Sequence, residues 1–264
     1  MNIADWQRQA KVSLQNHSSS VTLDVQLILA HVLELSTAQL LAQPERELTK
    51  NERSASNQLL RERAAGSPIA HLVGRTEFYG QTFSITPDVL VPRPETESLV
   101  EQAVKNIPQN ASVIDVGTGS GAIAVALKTT RPDLRVTASD TSTDALAVAK
   151  QNVNNHKLDI KLIEADLLED VPQTDVVVAN LPYLSTSRPL DQSVRKEPRQ
   201  ALLSGGDGLD HYRRLFEQLV KRTTTKLLFI EAEPEQRDEL ITISRRAGYS
   251  LVNHQSYVLQ FKRD

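Results

Sequence analysis

The sequence predicts a doubly wound α/β sheet with an antiparallel hairpin at one edge, preceded by a small all-helical domain. Three observations carry this. From residue 111 onward, short apolar, β-branched runs alternate with helix-forming stretches, the order that a parallel sheet with helices on both faces requires. The chain ends on two closely spaced strand-like runs, 250–253 and 257–262, with no helix between them, which makes an antiparallel edge. Residues 1–70 place apolar residues at helical spacing and contain no strand-like run.

Composition narrows the function classes. At 264 residues with a net charge of −3, the chain has room for a catalytic domain and a smaller neighbour, and bulk charge does not hold it to nucleic acid. It has no cysteine, which excludes disulfides, thiolate metal sites and cysteine nucleophiles. Six histidines are scattered without ligand spacing, so no metal is expected. The first 15 residues are polar and amphipathic, unlike a signal peptide or membrane span. The expectation is a cytoplasmic monomer without membrane or nucleic-acid partners.

Within the helical domain, Ile3, Trp6, Ala10 and Leu14 form one periodic face. Leu23, Leu27, Ala30, Leu33 and Leu35 form a second, with Thr22 as its N-cap. Two further helices are expected over 36–41 and 49–65, the last closed by Gly66 and Pro68. Residues 71–91 change character. Aromatic and β-branched residues alternate around Gly80, which reads as a β-hairpin linker. Residues 92–264 form the larger domain. It opens on Pro92-Arg93-Pro94, which presents Arg93 stiffly to a partner, and then a helix start at Glu95 and Glu97. Strands are expected over 134–140, 160–164, 176–179 and 227–230, and helices over 142–155, 207–223 and 235–247.

The central stretch is Ala-Ser-Val-Ile-Asp-Val-Gly-Thr-Gly-Ser-Gly, residues 111–121. Val113, Ile114 and Val116 form a buried strand that empties through Gly117, Gly119 and Gly121 into a helix beginning near Ala122. Such a turn brings bare backbone and a positive helix end to a ligand. About 20 residues on, Asp140 ends the next apolar run, where a carboxylate accepts from a ribose diol. These residues point to an adenosine-containing cofactor. They leave a nicotinamide dinucleotide and S-adenosylmethionine both open, because Gly117, Gly119 and Ala122 also satisfy the dinucleotide pattern.

Asn180-Leu181-Pro182-Tyr183 follows the apolar run 175–179 and so faces the same crevice. Methyl transfer to a planar nitrogen needs acceptors for its two N–H groups, because its lone pair is delocalised. The Asn180 side-chain carbonyl and a neighbouring backbone carbonyl supply two. Pro182 holds Leu181 extended, and Tyr183 offers a flat face. Asp166, at the end of another strand, is placed to accept from an adenine amine. The loop 185–199 carries Arg188, Arg195, Lys196 and Arg199, a charge set suited to an acidic partner face.

Several blocks together resemble the protein-glutamine N5-methyltransferases of peptide chain release factors, the HemK/PrmC family. They are Pro68-Ile69-Ala70-His71-Leu72-Val73-Gly74, Glu77-Phe78-Tyr79-Gly80, Val91-Pro92-Arg93-Pro94-Glu95-Thr96-Glu97, Asp115-Val116-Gly117-Thr118-Gly119-Ser120-Gly121, Asn180-Leu181-Pro182-Tyr183, Glu197-Pro198-Arg199-Gln200-Ala201-Leu202 and Gly206-Asp207-Gly208-Leu209. The proline-arginine-proline and glycine-aspartate-glycine-leucine blocks are the most particular.

The resemblance implies a seven-stranded, Rossmann-like class I methyltransferase sheet. It implies S-adenosylmethionine held by Asp115, Gly117, Thr118, Gly119, Gly121, Asp140, Asp166 and Asn180. It implies catalysis by Asn180, Leu181, Pro182 and Tyr183 on the glutamine of a Gly-Gly-Gln loop, with Asn180, Pro182, Tyr183 and Arg93 meeting the release factor, and with residues 1–70 helping to hold it. The family pattern is Asn-Pro-Pro-Tyr. Leu181 departs from it, and Asn-Leu-Pro-Tyr also resembles ribosomal RNA adenine dimethyltransferases, so a nucleic-acid adenine methyltransferase is the second expectation. A nicotinamide-dependent oxidoreductase is the third, and Asn180–Tyr183 speaks against it. Glu231-Ala232-Glu233-Pro234 departs from the family's glycine after this glutamate, and the residues themselves assign that change no role.

Overall fold

The computed structural model describes residues 1–264, which divide into two compact units. The first comprises Met1–Arg75 together with Leu190–Lys196, and the second Thr76–Pro189 with Glu197–Asp264.

The first unit is helical: α1 (Ile3–Leu14), α2 (Val21–Val32), α3 (Thr37–Leu41), α4 (Lys50–Ala64) and α5 (Ile69–Val73). Its core joins Ile3, Trp6, Ala10 and Leu14 to Val25, Ile28 and Leu29. The helix starts are written in the sequence. Asn2 Oδ1 accepts from Asp5 N at 2.9 Å, and Ser36 with Gln39, and Thr49 with Glu52, close capping boxes. Two expectations change. The cap residue of α2 is Ser20 rather than Thr22, because Ser18 Oγ accepts from Ser20 N and donates to buried Asp24, which Arg63 also holds. On this helix Leu23, expected on the core face, is exposed, and Val25 is buried. Residues 69–73, expected within or beside the hairpin stretch, form a helical turn instead, closed by Gly74 at φ +71°. Of the loop 185–199, Leu190–Lys196 packs with this unit. There the Gln192 side chain fills the space beside Gly66, and its Nε2 donates to Ala65 O.

The hairpin is β1 (Arg75–Phe78) and β2 (Gln81–Ser84). Tyr79 and Gly80 both have positive φ, the two-residue turn whose twist suits a hairpin. The remaining elements are α6 (Pro94–Asn106), β3 (Ser112–Val116), α7 (Ala122–Thr130), β4 (Arg135–Asp140), α8 (Thr143–Asn155), β5 (Lys161–Glu164), β6 (Val176–Ala179), α9 (Asp210–Val220), β7 (Leu227–Glu231), α10 (Arg237–Arg246), β8 (Tyr249–Gln255) and β9 (Val258–Arg263). The helix expected over 207–223 starts only at Asp210, since Gly208 sits at φ +82°, outside helical space.

β3 to β9 form one seven-stranded sheet in the order β5-β4-β3-β6-β7-β9-β8. The first five strands in that order are parallel, and β9 runs antiparallel to both β7 and β8. The expected doubly wound sheet with an antiparallel edge hairpin is therefore the architecture found. Central strands are covered on both faces, and all four residues of β6 are buried, as its unbroken apolar run requires. The strand order reverses between β3 and β6. A crevice opens beyond their carboxyl ends, where such sheets bind ligands.

Candidate active site

Register assembles the site. Val116 pairs with Ala179, Ala179 with Ile230, and Val116 with Ser139. The next residues along these strands are Gly117, Asn180, Glu231 and Asp140, so residues distant in sequence emerge side by side at one sheet end.

A cavity of about 250 Å³ lies there, lined by Val89, Leu90, Gly117, Gly119, Asp140, Ala145, Asp166, Leu167, Asn180, Leu181 and Pro182, with Gln200, His211 and Arg214 among the others. The glycine turn is braced from behind. Gly117 N and Thr118 N both donate to Ser139 O, at 2.8 and 2.9 Å, and Gly119 N donates to Asp140 Oδ2 at 2.9 Å. Asp140 Oδ1 accepts from Ser142 N at 2.9 Å. Both carboxylate oxygens are thus fixed by backbone, each with lone-pair capacity left for a ligand diol. A Cβ on Gly119 would meet no protein atom, whereas one on Gly117 would stand 2.9 Å from Leu181 Cδ2. Gly119 is therefore a cradle that a side chain would fill. The mixed lining, an anchored carboxylate among apolar walls, fits an adenosine.

Three residues expected at the cofactor, Asp115, Thr118 and Gly121, do not line this cavity. Asp115 is fully buried. Its Oδ2 accepts from Thr118 Oγ1 at 2.5 Å and from Ala124 N at 3.2 Å, while its Oδ1 has no partner. Burial pushes this carboxyl up to about 7, against the pull of Thr118 and Ala124, with the charge of Asp140 adding to the rise. Asp115 and Thr118 brace the turn from inside and do not line the cavity. Gly121 serves packing: a Cβ there would lie 3.3 Å from Ala149 Cα. The reason is strand alternation, which turns the Asp115 side chain toward the helix start rather than the crevice. Asp166 does line the cavity, but its Oδ2 is ion-paired with Arg214.

The tetrapeptide hangs on a buried wall. Asn180 Nδ2 donates to Thr96 Oγ1 at 2.9 Å, which leaves Oδ1 as the amide's free end. Leu181 N donates to Tyr212 Oη at 3.3 Å, and Tyr212 Oη donates to Glu231 O. Tyr183 Oη donates to Glu231 Oε1 at 3.2 Å. Burial, then the Glu231 charge, pushes the Tyr183 hydroxyl upward. Leu181 is buried; Leu181 and Pro182 line the cavity, and Tyr183 does not. Gln236 Nε2 bridges Tyr183 O at 2.8 Å and Asp207 O at 3.1 Å. Gly208 presses on the same carbonyl, with room for no Cβ: one would lie 2.1 Å from Tyr183 O. The glycine-aspartate-glycine-leucine block is the backing of the tetrapeptide.

Arg93 is not presented freely. It pairs with Glu197, whose side chain is 1% exposed, and Glu197 Oε2 also accepts from Val91 N at 2.9 Å. Glu97 Oε1 accepts from Tyr79 N at 2.8 Å. The block 91–97 is therefore a hub joining hairpin turn, following loop and Asn180. Of the basic loop residues, Arg188 pairs with Glu233 and Arg195 donates to Leu190 O. Thr96, Glu197, Tyr212 and Glu231 are the residues that local reading does not single out as a group. The one signal was that three of them sit inside the resemblance blocks or at the departure after Ile230. No three histidine, aspartate or glutamate side chains are placed to hold a metal ion, and no helix is long and apolar enough to cross a membrane.

Known proteins place the chain. Residues 94–208 match the family model described as Methyltransferase small domain, and residues 5–74 match that of the PrmC N-terminal domain. A release factor glutamine methyltransferase of Coxiella burnetii is 32% identical over 255 residues, 94% of this chain and 92% of its own. That of Rhodopirellula baltica is 41% identical over 232 residues, 82% and 78% of the two chains. In fold, the chain is similar to the T. thermophilus 16S rRNA N2 G1207 methyltransferase solved with AdoMet and guanosine, with a TM-score of 0.53 at 14% identity, covering 72% of this chain and 49% of that one. With relatives above 30% identity covered over 92% and 78% of their length, and family models matching both the helical unit and the glycine turn, this chain belongs to the release factor glutamine methyltransferase family.

Proposed function

We propose that this chain transfers a methyl group from S-adenosylmethionine to the side-chain amide nitrogen of a glutamine in a peptide chain release factor. The observation that carries it is the placement of Asn180 beside Gly117 at one sheet end, with its Nδ2 occupied by Thr96 and its Oδ1 left for a ligand. Relatives aligned over 94% and 82% of the chain bear the same activity in their names, so an adenine-methylating enzyme and an oxidoreductase are not favoured.

Asp140, Gly117, Gly119 and Leu167 would hold the cofactor, and Asp166 and Arg214 line the same cavity. S-adenosylmethionine, when bound, supplies a methyl carbon on a positively charged sulfur. The chain's own work is on the nucleophile. Asn180 Oδ1 and the Leu181 carbonyl accept the two N–H groups of the glutamine amide, which shifts density onto nitrogen as the new bond forms. Pro182 restricts Leu181 to extended backbone and so orients that carbonyl before substrate arrives. Tyr183, locked by Glu231 and Gln236, walls the slot. The role assigned to Arg93 shifts from meeting the release factor to holding the 91–97 hub through Glu197.

Radiolabelled methyl transfer tests this. The protein is incubated with labelled S-adenosylmethionine and, separately, a release factor or ribosomal RNA. Label in the release factor alone is expected, and label in RNA alone would move the adenine reading to the front.

A further inference from the structure

Thr96 is buried, at 4% exposure, and Glu231 is wholly inaccessible, yet both stand at the mouth of the strand ends that form the site. Thr96 Oγ1 accepts a hydrogen bond from Asn180 Nδ2. A threonine hydroxyl that accepts still has its own hydrogen to place. Of the Glu231 carboxyl, Oε1 receives Tyr183, and Oε2 is buried without a partner in hydrogen-bonding geometry. Burial pushes the Glu231 carboxyl upward, and the Thr96, Tyr183 and Asn180 side chains beside it pull it back toward its charged form.

We infer that Glu231 and Thr96 are positioning residues that set the direction of the Asn180 amide: the Glu231 carboxylate accepts a hydrogen bond from the Thr96 hydroxyl, which commits Thr96 Oγ1 to act as an acceptor toward Asn180. An amide has a donor end and an acceptor end, and the neighbouring network decides which faces outward. With Thr96 accepting, Asn180 buries Nδ2 and offers Oδ1 to the slot. With Thr96 donating instead, Oδ1 would turn inward and Nδ2 would face a substrate that carries two N–H groups, donor against donor. A carboxylate cannot donate, so Glu231 fixes the polarity of the relay, and a buried network of this kind keeps one arrangement. The same carboxyl holds Tyr183 Oη, so both ends of the tetrapeptide answer to it. This also gives the sequence departure after Ile230 a neighbour with a function.

The inference rests on the proposed glutamine methylation, and the test separates the two. Thr96→Val keeps the shape and removes the hydroxyl. Glu231→Gln keeps the size and introduces a donor. Thr96→Ser restores the hydroxyl. Three quantities are read: kcat and KM on a release factor, S-adenosylmethionine affinity by calorimetry, and the side-chain amide signals of Asn180 in asparagine-labelled protein. Thr96→Val and Glu231→Gln are expected to lower kcat by about ten- to a hundredfold, with cofactor affinity unchanged. The Asn180 amide protons are expected to lose their hydrogen-bonded shift in both. Thr96→Ser is expected to restore rate and signal. Wild-type rate and an unmoved Asn180 signal in either variant would overturn the relay. Should Thr96→Val fail to fold, Glu231→Gln decides alone. A wild-type enzyme that labels no glutamine would instead overturn the functional reading, and the amide signals would still report on the relay.

Discussion

The backbone N–H of Gly119 donates to Asp140 Oδ2 at 2.9 Å, tying the tip of the glycine turn to the residue that ends the adjacent strand. The turn and the carboxylate proposed as the ribose acceptor are thus tied directly to one another. Removing the carboxylate should loosen the turn and delete the acceptor together. Asp140→Ala is expected to weaken S-adenosylmethionine binding by at least about tenfold, the size of one charge-assisted hydrogen bond, as read by calorimetry. Unchanged affinity would place the ribose elsewhere.

Gly208 and Tyr183 meet backbone to backbone. A methyl at Gly208 would lie 2.1 Å from Tyr183 O, at a φ of +82°. Gly208→Ala combines left-handed strain with a collision against main chain, for a cost of about 2–4 kcal/mol. Urea denaturation should show it. A loss below about 0.5 kcal/mol would mean that the loop yields without cost.

Glu197 is held by Arg93 and Val91 N. Arg93→Met leaves a buried carboxylate with one partner. Because the Arg93 side chain is 35% exposed, solvent reaches the pair, and the expected loss is roughly 1–3 kcal/mol rather than the full cost of a buried ion pair. Glu197→Gln, which keeps an acceptor for Val91 N, should cost less. Equal stability of Arg93→Met and wild type would make the pair dispensable.

Asp115 bears on pH. Its carboxyl titrates at about 7 when folded, against an ordinary 3.8. Between these values the folded state holds a proton that the unfolded state has released, so stability falls as pH rises across that window and levels off above it. The limiting slope is about 1.4 kcal/mol per pH unit. Melting temperatures of Asp115→Asn should show a flatter dependence between pH 4 and 7 than wild type. Parallel curves would contradict the assignment.

What local pattern carries, the sequence already shows. The glycine turn, the apolar run of β6 and the paired terminal strands are contiguous, and each announces its own geometry. The misplaced features have a common cause. Residues 69–73 are too few to display a helical period, and the start of α2 depends on Arg63, 39 residues from Asp24. Likewise, Arg93 looked free because Glu197 is 104 residues away, and Thr96 looked like one more residue of a helix start although Asn180, 84 residues on, depends on it. Asp115 carried the right motif, but which way a strand residue faces is decided by the sheet. Chemistry borne by one segment was legible, and partnerships between segments were not.

The most direct test of the account is tandem mass spectrometry of the Gly-Gly-Gln peptide from a release factor incubated with S-adenosylmethionine and either wild-type protein or Asn180→Ala. One added methyl group on the glutamine side chain with wild type, and its near absence with Asn180→Ala at unchanged cofactor affinity, is the predicted result. An unmodified glutamine with wild type and bound cofactor, or equal modification by both proteins, would contradict it.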